Sequence, residues 1–231
     1  MSLSVVIPAR NEEKVLGAAL KALGDQSDPP DEVIVVDNDS DDGTAALARS
    51  HDGVIVVAEA RHGITYARTA GFDAAAGALI ARIDADTIVT PGWARAIRRA
   101  FASDPELAGL AGPAGFTRLS SADRVVGRAV YGLFRAVHEE MVGSGPVMYG
   151  HNMALTSSAW TGIRDVVTPG DGAVSEDLDV TLALLHTGHK VGYEPDMLVT
   201  IAVERTLHYR KLAGYNRTNR LTMAKYRRAW I

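Results

Sequence analysis

Within its first 83 residues the chain alternates four short apolar runs with three stretches of helical spacing, and few folds accommodate that order. Residues 4–7 read as a strand, and 12–23 as a helix with Val15, Leu16, Ala19, Leu20 and Leu23 on one face. After the break at Asp28-Pro29-Pro30-Asp31, residues 32–36 read as a second strand. Residues 44–50 then read as a helix, 54–58 as a strand, 66–76 as a helix and 78–83 as a strand. Strands written as continuous apolar runs and separated by helices demand a parallel sheet covered on both faces. The expected class is α/β, with a mostly parallel central sheet flanked by helices.

Polar residues cluster where these strands end: Pro8-Ala9-Arg10-Asn11-Glu12, then Asp37 to Asp42, then Asp84-Ala85-Asp86. In a doubly wound sheet such loops share one edge and converge on one crevice. Asp84 and Asp86, hard oxygen donors one residue apart, suit Mg²⁺ or Mn²⁺ that keeps some waters and takes further ligands from a substrate diphosphate. No Gly-x-Gly-x-x-Gly follows the first strand and no Walker-type lysine loop is present, so a nucleotide must be held another way.

The second half is less regular. A helix is expected from Trp93 to about residue 102, a glycine-rich strand-like stretch over 109–115, and a long helical segment over 119–141 carrying Arg124, Arg128, Arg135 and His138. Residues 149–155 return as a strand. A helix to His186 opens at Ser175, an expected N-cap, with Glu176, Asp177 and Asp179 in its first turn.

With 231 residues, 47% of them hydrophobic and 23% charged, the chain can form one large globular domain. Without cysteine it has neither disulfides nor thiolate metal sites, which fits a cytoplasmic protein. No apolar run approaches the roughly 18 residues of a membrane span, and residues 1–8 read as a strand and not a signal. The net charge of −4 is uneven: residues 204–231 hold eight Lys/Arg against one acid, Glu204, so the tail carries +7 and the body −11. A basic tail on an acidic body points to phosphates or an anionic membrane surface as its partner; nucleic acid is not an expected partner.

Four segments taken together, in order and spacing across roughly residues 3–200, resemble the family 2 glycosyltransferases of the GT-A fold. They are Ser4 to Glu13, Val33 to Thr44, Ala67-Arg68-Thr69-Ala70-Gly71 leading into Asp84-Ala85-Asp86 (a DXD motif), and Glu176-Asp177. The resemblance implies a single catalytic domain over 1–203, with a Rossmann-like nucleotide-sugar half at 1–92, an acceptor half at 93–203, and a basic helical segment at 204–231. It places Pro8, Ala9, Arg10 and Glu12 around the base, has Asp37 accept from the base imide, and adds Asp39 to the nucleotide set. It places Arg68 near the ribose or diphosphate, counts Ala85 with the nucleotide set, and gives Mn²⁺ or Mg²⁺ to Asp86 and Asp84 with His208 as the candidate third ligand. Asp177 becomes the general base and Glu176 its neighbour at the helix start. Thr69 stands where the family has asparagine, and Arg217-Thr218-Asn219-Arg220-Leu221 only loosely matches the Gln-x-x-Arg-Trp of processive members, so polymer extrusion is not expected.

The implied activity is an inverting, metal-dependent transfer of a sugar from a UDP- or GDP-linked donor to an acceptor hydroxyl. A lipid-linked acceptor, peripheral membrane contact and a homodimer remain open. His151 and Asn152 are candidates for the sugar or acceptor side, and Trp160 for a stacking platform or core packing. Two other classes compete. A nucleotidyltransferase would be expected to carry a glycine-rich loop after the first strand, and a non-catalytic sugar-nucleotide-binding or membrane-surface module would not need the Asp177 carboxylate.

Overall fold

The computed structural model describes residues 1–116, 132–133, 135–136, 139–140, 142–143, 145–168, 170, 174–202 and 209–228. The amino-terminal half runs β1 (Leu3–Ala9), α1 (Leu16–Gly24), β2 (Glu32–Asp37), α2 (Thr44–Arg49), β3 (Val54–Ala58), α3 (Ile64–Ala74), β4 (Leu79–Arg82) and β5 (Ile88–Val89). The remainder runs α4 (Trp93–Ser103), β6 (Leu107–Ala111), β7 (Ala114–Phe116), β8 (Met153–Thr156), α5 (Ser157–Ile163), α6 (Glu176–His186), β9 (Lys190–Tyr193), β10 (Val199–Ile201) and α7 (Tyr209–Arg228).

Seven strands form the main sheet in the order β3-β2-β1-β4-β8-β6-β9. β8 runs antiparallel to both β4 and β6, while the other four pairings are parallel. The expected mostly parallel sheet is therefore present, and it continues across the β4–β8 junction between the residues assigned to the two halves. A smaller sheet, β5-β10-β7, draws on both. β1 is buried along its whole length, as a central strand covered on both faces must be. α3 lies tightly on it: a Cβ at Gly71 would sit 2.3 Å from Val6 Cγ1 and 2.8 Å from Val36 Cγ2.

The strand order sets the crevice. The chain moves outward from β1 through β2 to β3, then returns to the other side of β1 as β4, so the direction of winding reverses between β1 and β4. The β1–β4 register ends at Val6 and Arg82, whereas β1 stays paired with β2 as far as Ala9 and Asp37. That divergence tolerates Pro8, which has no N–H to offer a second neighbour, and opens the carboxyl ends of β1 and β4 to a ligand.

Several boundaries differ from expectation for identifiable reasons. α1 starts at Leu16 and not at residue 12, because the Glu12 and Glu13 N–H groups donate to Thr44 Oγ1 (2.8 Å) and Asp42 Oδ2 (3.3 Å) while Asn11 holds φ at 57°. The stretch 109–115 divides between β6 and β7, in different sheets. Residues 149–152 form a turn closed by Asn152 N–H to Tyr149 O at 2.8 Å, so β8 begins only at Met153. Of the helical segment expected over 119–141, Arg124, Arg128 and His138 lie outside the described residues, whereas Arg135 is helical.

The basic carboxyl-terminal segment is helical over 209–228 and docks on α6. Lys225 Nζ donates to Asp179 Oδ1 (2.8 Å), Thr168 Oγ1 (2.9 Å) and Val166 O (2.6 Å). Tyr226 Oη donates to the same Asp179 oxygen at 2.8 Å, and Thr222 Oγ1 accepts from Ser175 N–H at 2.8 Å.

Candidate active site

Asp84 and Asp86 leave the end of β4 with Ala85 buried between them, and Thr87 N–H closes the turn on Asp84 O at 3.0 Å. Behind them stands Arg82, only 3% exposed at its side chain, which donates through Nη2 to Asp84 Oδ1 at 2.9 Å and through Nη1 to Glu176 Oε1. One guanidinium thus joins the Asp84-Ala85-Asp86 turn to the first residue of α6. The next residue on that helix is Asp177. Its Oδ1 accepts from Ser175 Oγ and from Leu178 N–H, both at 2.8 Å, and its Oδ2 lies 3.4 Å from Gly150 N. Ser175 holds the expected N-cap position, but its hydroxyl donates to Asp177 and caps no backbone N–H. Three acids in the first turn face the positive end of the α6 macrodipole.

His151 shares this space. Burial holds its imidazole below the ordinary range, against the opposing pull of Asp84, Asp177 and Asp86, and its ring stacks on Tyr149 at 5.6 Å with an interplanar angle of 12°. Asn152 turns the other way. It is fully buried, accepts from Trp93 Nε1 at 3.0 Å and donates to Pro113 O and Met197 O, which makes it a structural clasp with no access to a sugar. Trp160 is likewise core, 3% exposed, edge-on to Phe72 and bonded to Asp73 Oδ1 at 2.9 Å.

On the nucleotide side, Pro8 and Ala9 are buried, Glu12 is half-buried and Arg10 is exposed at the mouth. Asp37 is half-buried, and its Oδ1 accepts from Ser40 N–H at 3.3 Å in an Asx-type turn. Asp39 is exposed with φ at 58°, and its carboxylate meets His62 Nε2. Asn38 ties its own loop to the one between β3 and α3: its Nδ2 donates to Glu59 O and Arg61 O, and its Oδ1 accepts from Gly63 N–H at 2.8 Å. Asn38 was not among the expected site residues.

Arg68, expected beside the ribose or diphosphate, has no solvent exposure at all. Its nearest opposite charge is Glu176 Oε2 at 4.0 Å, its guanidinium lies 5.5 Å from the Trp160 ring, and none of its three nitrogens has a hydrogen-bond partner among the described residues. Burial, then the charge of Arg82, lowers it to about 10, still cationic at neutral pH. The structure thus seats Arg68 beneath the crevice and against α6. Arg82, the residue that spans the site, was missed; the available signal was a lone charge inside the apolar run 78–83.

The donor chemistry fits a hard divalent cation. Asp84, with 43% of its side chain exposed, and the half-buried Asp86 are both oxygen donors at the crevice. Among the described residues no group of three or more His, Asp or Glu could hold a metal ion. Two carboxylates make a partial cage of the kind that Mg²⁺ or Mn²⁺ completes with waters and substrate phosphates. His208, the candidate third ligand, lies outside the described residues.

The sequence carries the same message as the geometry. The Glycosyl transferase family 2 profile matches residues 4–124, and a second, Glycosyl transferase family group 2, matches 79–230. The chain belongs to glycosyl transferase family 2. It is 35% identical over 98 residues to glycosyltransferase AglE of Haloferax volcanii, a match covering 39% of this chain and 32% of that protein. It spans about a third of that relative's length. Among solved structures, a mannosyltransferase from Pyrobaculum calidifontis in complex with GDP-Man and Mn²⁺ superposes with a TM-score of 0.76 at 23% identity, covering 98% of this chain and 64% of the other. Glucosyl-3-phosphoglycerate synthase from Mycobacterium tuberculosis, in complex with Mn²⁺, UDP and phosphoglyceric acid, gives 0.72 at 19% identity, covering 97% and 78%. These two likenesses establish the shared fold. Among the described residues no helix is long and apolar enough to cross a membrane.

Proposed function

We propose that the protein is an inverting glycosyltransferase that moves a sugar from a UDP- or GDP-linked donor to an acceptor hydroxyl with Mn²⁺ or Mg²⁺ bound at Asp84 and Asp86. The observation that carries this reading is the fork of Arg82, which sets the DXD carboxylate and the helix start bearing Asp177 on either side of one guanidinium. Family membership supports it, as do the nucleotide and metal complexes of the two structural neighbours.

The loops after β1 and β2 bind the nucleotide, with Asp37 offering an acceptor to the base. Asp84 and Asp86 hold the metal, which when bound offsets the charge of the diphosphate as it departs. Asp177 takes the proton of the acceptor hydroxyl as that oxygen attacks the anomeric carbon from the face opposite the diphosphate. One new C–O bond forms, the bond to the diphosphate breaks, and the configuration inverts. Ser175 Oγ and Leu178 N–H fix one carboxylate oxygen of Asp177, so a single base is held in one orientation.

The exposed face of α7 presents Arg217, Arg220 and Arg227 beside Leu221, which is 45% exposed. Basic side chains around an apolar residue suit an anionic lipid surface, so this face is the proposed contact for a membrane-proximal, lipid-linked acceptor.

Incubation with UDP-glucose or GDP-mannose and Mn²⁺, followed by NMR of the first sugar released to water, tests the reaction. Release that requires metal and yields the inverted anomer is expected. Retained configuration, or release unaffected by EDTA, contradicts the proposal.

A further inference from the structure

We infer that Arg82 is a positioning residue that locks the metal-binding turn and the base-bearing helix into one unit, and that Glu176 serves as its anchor and not as a proton-transfer group; this rests on the glycosyltransferase reading above. Three features of the local geometry point to it. The guanidinium is buried to 3% exposure and spends one nitrogen on Asp84 and the other on Glu176, so neither carboxylate can shift without losing a charge-assisted hydrogen bond. Its seat is cut to shape by Gly150, where a Cβ would lie 2.3 Å from Nη1 and 2.6 Å from Cζ, so the backbone there packs directly against the guanidinium. The N–H of that same Gly150 lies 3.4 Å from Asp177 Oδ2, so the seat of Arg82 also touches the proposed base.

Arg68 completes the arrangement. It places a second buried guanidinium 4.0 Å from the other Glu176 oxygen, so the Glu176 carboxylate is flanked by two positive charges. Each of its two oxygens thus faces a guanidinium, which is the geometry of an anchor for two cations. The register fixes Arg82 from the other side: it lies opposite Val6 of β1 and Met153 of β8, in the middle of the main sheet. A planar, two-pronged cation is needed here, because an ammonium group is a point charge that cannot match two separated carboxylates in a fixed fork.

Turnover of UDP-glucose and GDP-mannose, measured against Mn²⁺ concentration, tests the inference in Arg82→Lys, Glu176→Gln and Gly150→Ala. Loss of a residue that orients a metal ligand commonly costs 10–100-fold in activity or metal affinity. Arg82→Lys is expected to lower kcat by about that factor and to raise the Mn²⁺ concentration giving half-maximal rate. Glu176→Gln is expected to lower kcat without altering the pH dependence of the remaining activity, since Asp177 stays in place. Combining Arg82→Lys with Glu176→Gln should be little worse than Arg82→Lys alone, because both changes break the one Arg82–Glu176 contact. If Arg82→Lys does not fold, Gly150→Ala and Glu176→Gln carry the test. Wild-type kcat and Mn²⁺ dependence in the folded variants, or a loss confined to the unfolding temperature, overturns the positioning role and leaves the glycosyltransferase reading intact. Absence of metal-dependent turnover in the wild-type protein overturns both.

Discussion

Lys225 Nζ donates to Asp179 Oδ1 at 2.8 Å, and through that contact the last helix is keyed into the helix that carries Asp177. Asp179 is completely buried, and its carboxylate also receives Tyr226 Oη at 2.8 Å and Thr168 N–H at 2.6 Å. The last helix, whose sequence holds no acidic residue, therefore finds one 46 positions before Lys225 in the chain. Lys225→Met removes one partner of a pair buried on the acid's side only, and three donors become two. The expected cost is about 1.5–3 kcal/mol, the range for one hydrogen bond to a charged group. Hydrogen exchange should quicken along α7 first, and unchanged protection there would show that the helix docks by other contacts.

Asp177→Asn keeps the shape of the side chain and removes its basicity. Turnover should fall by about 10²- to 10⁴-fold with donor affinity nearly unchanged, because a general base acts on the transition state alone. Steady-state kinetics alongside nucleotide binding separates the two quantities. Normal turnover with weakened donor binding would move Asp177 from proton transfer to substrate contact.

Gly71→Ala tests how closely α3 rides on the sheet. The new methyl would meet Val6 Cγ1 at 2.3 Å and Val36 Cγ2 at 2.8 Å, and both belong to buried strands that cannot yield easily. Overpacking of this kind costs about 1–3 kcal/mol. For a chain of this size each kcal/mol lowers Tm by roughly 2–4 °C. A Tm equal to that of the wild type would mean that α3 can lift without cost.

Glu59 gives the fold an acid-sensitive contact in the loop before α3. The Arg61 side chain, held by hydrogen bonds at 2.9 and 2.7 Å, pulls its carboxyl down from 4.5 to about 2. A depressed carboxyl contributes stability above its unfolded value that is lost as the pH falls toward the folded one. The gap in Tm between wild type and Glu59→Gln should therefore be widest above pH 4.5 and close as the pH approaches about 2. A gap independent of pH would assign the effect to packing.

The sheet was legible because three buried parallel strands and the half-exposed edge strand β3 all announce themselves as apolar runs, and the strand-end clusters then had to share an edge. Asp84, Asp86 and Asp177 were legible as carboxylates at strand and helix ends. What the sequence concealed depends on contacts across the fold. The late start of α1 follows from Thr44 and Asp42 capturing N–H groups that the helical pattern assigned to its first turn. Arg82 looked like an interruption of an apolar run, and only the return of Glu176 from 94 residues away gives it a purpose. Asn152 resembled a site residue because its true partners, Trp93, Pro113 and Met197, come from three separate segments. Arg68 sits where the motif put it in the chain, yet its guanidinium points into the protein.

Titration calorimetry of UDP and of GDP in the presence of Mn²⁺, repeated with EDTA and with Asp86→Ala, tests the central claim most directly. One of the two nucleotides should bind the wild-type protein with Mn²⁺ and lose that binding both on chelation and on loss of Asp86, since two carboxylates supply the protein's share of the metal cage. Binding that survives EDTA and Asp86→Ala unchanged, or no binding of either nucleotide with metal present, would contradict a metal-dependent nucleotide-sugar site between β1 and β4.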